Sequence, residues 1–120
     1  MYELRVKGHF DAAHYIKDYS GKCQRMHGHR WGVQVCLKDS VLDKTNILVD
    51  FHTVKELLSR RTEFLDHYIV NERLNEQNVT AEFIAKWLFE SLRLDLPKLL
   101  DSVSVSESPE CTVTYRDIGG

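Results

Sequence analysis

Cysteine is scarce in this sequence. Only Cys23, Cys36 and Cys111 occur in 120 residues. An odd number without paired spacing argues against a disulfide framework and suits a reducing compartment, so a cytoplasmic protein is expected. Proline is scarcer still: Pro97 and Pro109 are the only two, both late in the chain. Charge of one sign is missing too, since 16 Lys and Arg face 18 Asp and Glu. With no basic block, the concentrated positive face that nucleic-acid binding needs is absent. No apolar run approaches membrane-spanning length, and no signal-peptide pattern opens the chain. No nucleic acid and no membrane are therefore expected as partners. The length suits a single domain, 1–120, of a size that gains from further burial in an oligomer.

What is present is a clear alternation of periods. Tyr2, Leu4, Val6, Gly8 and Phe10 alternate with Glu3, Arg5 and Lys7, the pattern of a half-buried strand. The stretch from Ala12 to Arg25 reads as a connection. Trp31, Val33, Val35 and Leu37 form a second alternating run, expected to pair antiparallel with the first. After a turn over Asp39–Asn46, Thr53 and Glu56 resemble a capping box, with Val54, Leu57, Leu58 and Leu65 on one face of the helix behind it. A polar loop is expected from Asn71 to Asn78. Thr80 is placed to cap the next helix, whose apolar face is Phe83, Ile84, Trp87, Leu88 and Leu92. Val103 and Val105, then Val113 and Tyr115, mark two closing strands. The expected order is β-β-α-α-β-β, an α+β fold with two helices on one face of a four-stranded antiparallel sheet.

The chemistry gathers around His27-Gly28-His29. Histidines at i and i+2 of an extended chain point to one side. His14 ends the first strand, and a hairpin would bring it to the start of the second. Three neutral nitrogens suit zinc and leave a fourth position open, as in a catalytic site. His-x-His pairs arise by chance on strands, so His14 is the residue that adds weight. His9 and His52 read as ordinary polar residues. Cys23 lies in a loop with Lys22 and Arg25, and positive neighbours favour a thiolate. Lys22, Arg25 and Arg30 could also hold a small anion, although each alone reads as surface charge. Cys36 and Cys111 read as packing residues.

Asp66 and His67 could share a hydrogen bond only if the backbone turns there; a carboxylate would then fix the histidine's tautomer. Glu107 continues the parity of Val103 and Val105. A carboxylate on that face could accept the paired N–H donors of a guanidine-like ring, with Glu110 as a competing candidate.

Together these segments resemble the 6-pyruvoyltetrahydropterin synthase and 6-carboxytetrahydropterin synthase family. The resemblance is carried by Phe10-Asp11-Ala12-Ala13-His14, by Cys23 through His29, by Val49-Asp50-Phe51, by Leu65-Asp66-His67, by Val79-Thr80-Ala81-Glu82 and by Glu107. Val70, and the serines flanking Glu107, depart from the family's usual residues. The resemblance implies a tunnelling fold whose subunits join edge to edge into a barrel, typically a homohexamer built as a dimer of trimers, with active sites between subunits. It implies Zn2+ on His14, His27 and His29, and dihydroneopterin triphosphate as substrate. Cys23, Asp66 and His67 would be catalytic, while Glu107, Thr80 and Glu82 would hold the pterin.

The family divides by product, and the short Cys23-to-His27 spacing resembles the carboxy branch, a lyase of queuosine biosynthesis. The pyruvoyl branch, which eliminates triphosphate, is the alternative. A third branch uses glutamate in place of this cysteine, and Cys23 argues against it. A non-catalytic zinc-binding ring protein would have no need for Cys23, Asp66, His67 and Glu107 together. A generic zinc hydrolase would need a water-activating carboxylate, and would need neither a thiolate nor a pterin anchor.

Overall fold

A computed structural model describes residues 1–117, apart from the side chain of Cys23. Four strands form one antiparallel sheet in sequential order: β1 (Tyr2–His14), β2 (His27–Asp39), β3 (Leu100–Ser108) and β4 (Cys111–Tyr115). Between β2 and β3 lie α1 (Phe51–Leu65), the short α2 (Val70–Arg73) and α3 (Ala81–Arg93). A 3-10 turn over Lys22–Gln24 interrupts the connection from β1 to β2.

The strand alternation holds, and both strands of the first hairpin run further than the hydrophobic pattern predicts. The ladder continues past Phe10↔Trp31 to Ala12↔His29 and His14↔His27. Histidines replace apolar residues on the inward face there, so the hydrophobic signal stops while the backbone pairing goes on.

One layer of helices packs on one face of the sheet. Val54, Leu58 and Leu65 of α1 and Ile84, Leu88 and Leu92 of α3 share a core with Val6, Phe10, Trp31, Val33, Val35, Val103 and Val105. Gly8 lets α1 approach closely, since a Cβ there would meet Leu58 Cδ2 at 3.0 Å. The opposite face is polar. Lys7, His9, Gln34, Ser104 and Ser106 line an open cavity of about 510 Å³ on it.

Three local expectations need correction. The cap of α1 is Asp50, whose carboxylate accepts from His52 N–H at 2.8 Å; the helix starts two residues before Thr53, which lies inside the first turn. The stretch expected as a loop after Val70 begins as α2, because Val70 is fully buried and anchors a helical turn. Cys111 is exposed at the β3–β4 turn rather than packed, whereas Cys36 is buried. Thr80 does cap α3, accepting from Phe83 N–H at 3.0 Å. Among the described residues, no helix is long and apolar enough to cross a membrane.

Candidate active site

The hairpin register builds the first half of the site. His14 and His27 are direct cross-strand partners, and His29 sits one inward position further along β2. All three project from the helix-facing side of the sheet, at the end of the row that Phe10 and Trp31 occupy. Their ring centroids lie 4.4 Å (His14–His27), 4.8 Å (His27–His29) and 5.2 Å (His14–His29) apart. Trp31, fully buried, forms the floor, with its ring 4.7 Å from His14 and 5.4 Å from His29. Its indole N–H donates to Ala12 O at 3.3 Å, which holds the floor in place.

Two of the three outer ring nitrogens have a fixed role. His14 Nδ1–H donates to Val79 O at 2.7 Å, and His27 Nδ1–H donates to Arg25 O at 2.7 Å. A carbonyl can only accept, so the lone pair of each ring is on Nε2. Backbone carbonyls commonly orient metal-binding histidines in this way. His14 Nε2 and His29 Nε2 are buried without a hydrogen-bond partner. Such orphaned polar atoms are costly, and a cation bound by their lone pairs removes the cost. The pKa of His14 is lowered, chiefly by burial, with the Val79 carbonyl opposing; the ring is therefore neutral and able to donate. The three ligand atoms lie within 4.8 Å of one another, and the donor set fits a metal ion.

Glu107 reaches the same place from β3. The register shifts between Ser106 and Ser108, so Glu107 occupies an irregularity in the strand. Bulges re-aim side chains and recur beside active sites. The Glu107 carboxylate stands 3.5 Å from His29 Nε2 and 3.9 Å from His14 Nε2.

The second cluster lies on the outer edge of β1. Asp66 ends α1, and His67 follows with φ of 64°. This left-handed conformation is uncommon for a side-chain-bearing residue. It lets His67 N–H donate to Asp11 O at 2.6 Å while the ring turns back to Asp66 Oδ2 at 2.9 Å. Asp66 Oδ1 accepts from Asp11 N–H at 2.8 Å. The free edge of β1 therefore grips the Asp-His pair from both sides. Asp11 and His67, with Asp66, could formally hold a cation, but their oxygens are already committed. The Arg30 guanidinium binds Asp11 in two bonds of 3.0 and 3.1 Å and holds its carboxyl below the usual range. The His67 ring, 80% exposed, faces solvent in the single chain.

Thr80 and Glu82 stand at the first turn of α3, the hydroxyl of Thr80 being committed to the cap. The side chain of Cys23 lies outside the described residues; its backbone is in the 3-10 turn before His27. His9 and His52 are not part of either cluster. Arg30, one of three cations considered for an anion, is instead paired with Asp11. The sequence reading missed this pair, although it follows from the register: once His14 faces His27, Asp11 must face Arg30. It also missed the hydrogen-bonding roles of the Val79 carbonyl and the Asn71 carboxamide, which no side-chain pattern marks.

The family model for 6-pyruvoyl tetrahydropterin synthase matches residues 3–117. The chain belongs to this family. It is 35% identical over 112 residues to the 6-carboxy-5,6,7,8-tetrahydropterin synthase of Synechocystis sp., covering 89% of this chain and 85% of the relative. It is 24% identical over 141 residues to the enzyme of that name from Haemophilus influenzae, covering 98% of this chain and all of the relative. The fold matches the 6-pyruvoyl tetrahydropterin synthase of Caenorhabditis elegans with a TM-score of 0.88 at 24% identity, over 97% of this chain and 95% of that one.

Proposed function

We propose that this chain is a zinc-dependent 6-carboxy-5,6,7,8-tetrahydropterin synthase. It would convert 7,8-dihydroneopterin triphosphate and water to 6-carboxy-5,6,7,8-tetrahydropterin, acetaldehyde and triphosphate, in cytoplasmic queuosine biosynthesis. The observation that carries this reading is the convergence of His14, His27, His29 and Glu107 at one end of the core. The name shared by several relatives supports the choice of product.

His14, His27 and His29 would hold Zn2+, which supplies a Lewis acid that polarises side-chain oxygens of the substrate. Glu107 would fix the ring by accepting from its amino and ring N–H groups, with Thr80 and Glu82 assisting. Cys23, as thiolate, would take a proton from the substrate side chain. His67, oriented by Asp66, would serve as the second acid–base group. The exposed ring of His67 is compatible with use by a neighbouring copy. We read the assembly as a homohexamer, a dimer of trimers whose sheets join into a barrel. In support, β1 and β4 end the sheet order.

The test is incubation of the zinc-loaded protein with dihydroneopterin triphosphate and mass analysis of the products. A 6-carboxy pterin with acetaldehyde is expected. A pyruvoyl pterin without acetaldehyde would move the chain to the sister activity of the same family. Absence of turnover from the metallated oligomer would support a non-catalytic ring protein.

A further inference from the structure

Asn71 is one of few buried polar residues in the described chain, 3% exposed, and neither metal nor substrate chemistry accounts for it. It lies in α2, and its side chain makes three hydrogen bonds. Oδ1 accepts from Tyr15 N–H at 3.0 Å, while Nδ2 donates to Tyr15 O at 2.9 Å and to Gln77 O at 3.0 Å.

The reason for this arrangement lies in where β1 ends. Tyr15 directly follows His14, the last residue of the strand. Its backbone N–H and C=O have lost the ladder and need other partners. The carboxamide of Asn71 carries one acceptor and a pair of donor hydrogens, so it pairs with Tyr15 as a strand backbone would. Tyr15 O also accepts from Val79 N–H at 3.3 Å, and Val79 O accepts from His14 Nδ1–H at 2.7 Å. A closed circuit results: His14 ring to Val79, Val79 to Tyr15, and Tyr15 through the chain back to His14. Asn71 joins both arms, holding Tyr15 on one side and Gln77, two residues before Val79, on the other.

We propose that Asn71 is a positioning residue for the metal centre, placing the Val79 carbonyl so that His14 keeps its proton on Nδ1 and presents Nε2 to the ion. This rests on the reading of His14 as a metal ligand. The half-buried Asn78 links the same two loops through Asp18, with bonds of 3.0 and 2.9 Å, but its side chain lies outside the circuit. It supplies a control for loop tethering alone.

The experiment uses the full-length chain as wild type, Asn71→Asp, Asn71→Ser and Asn78→Ala. Asn71→Asp keeps the acceptor for Tyr15 N–H and sets a carboxylate against two carbonyls; Asn71→Ser decides if the aspartate variant does not fold. The first readout is the His14 tautomer in metal-free protein, from long-range proton–nitrogen NMR. The second is Zn2+ affinity by competition with a chromophoric chelator, on samples folded by circular dichroism. Wild type and Asn78→Ala should show a single Nδ1–H tautomer and equal affinity. The Asn71 variants should show mixed tautomers and roughly 10–100-fold weaker zinc, the usual effect of losing an outer partner of a metal ligand. A wild-type His14 protonated on Nε2 would overturn the proposal, as would a folded Asn71 variant with unchanged tautomer and affinity. Wild type that binds no zinc would defeat the metal reading instead, leaving the tautomer comparison to judge Asn71 separately.

Discussion

Glu107 on β3 and His29 on β2 bring a carboxylate oxygen and an unpartnered ring nitrogen to 3.5 Å of each other. A negative charge so close to these ring nitrogens favours a cation between them. Glu107→Gln keeps the shape and removes the charge. It should weaken Zn2+ binding about tenfold, a size typical of outer-shell changes, as measured by chelator competition without substrate. Unchanged affinity would show that the carboxylate does not sense the ion.

His27→Ala removes a donor on the exposed side of the cluster and leaves the buried His14 and Trp31 in place. Zinc content per chain, measured by elemental analysis after dialysis, should fall to near background with the fold retained. A full complement of metal would remove His27 from the ligand set.

Cys23→Ala should separate metal binding from turnover. Loss of a positioned acid–base group costs on the order of 10²–10⁴ in rate, while zinc should stay at the wild-type level. Steady-state product formation beside metal analysis is the check, and full activity in the variant would end the proposed role of Cys23.

His14 makes the metal-free chain sensitive to mild acid. Burial lowers its pKa below the ordinary 6.5, so the unfolded state takes up this proton first as pH falls. Stability therefore rises with pH across the window between the folded value and 6.5, is fully present above it, and is lost below. Between about pH 7.5 and 5.5, the urea midpoint should drop further for metal-free wild type than for His14→Asn. Parallel losses in both proteins would contradict this assignment.

Leu88 is fully buried where α3 meets the sheet. Leu88→Ala should destabilise the chain by about 2–5 kcal/mol through lost burial and a residual cavity. Urea denaturation provides the test, with a much smaller loss indicating that the helix layer collapses into the space.

Much of this architecture was legible in the residues because it follows from local periodicity. Alternation marked all four strands, and Thr80 announced the start of α3. The histidine cluster needed one further step, the hairpin, whose register then places His14 opposite His27. Segment ends were less legible. The strands outran their hydrophobic pattern because the site's histidines had replaced apolar residues, and Asp50 rather than Thr53 took the cap.

The sequence by itself determined which groups are available: three histidines of matching parity, an adjacent Asp-His pair, and a carboxylate continuing an apolar strand face. Tertiary structure alone decided how they are held. Glu107 meets His29 because β3 docks beside β2 and shifts register near its end. Asp66 and His67 are gripped by Asp11, 55 residues from Asp66 in the chain, because β1 leaves its outer backbone groups free. Asn71 and Val79 matter through atoms whose partners are backbone groups, or which are themselves backbone. Side-chain patterns record which face a residue takes. They carry no record of which carbonyl a distant loop will offer, and that is settled only when the chain closes on itself.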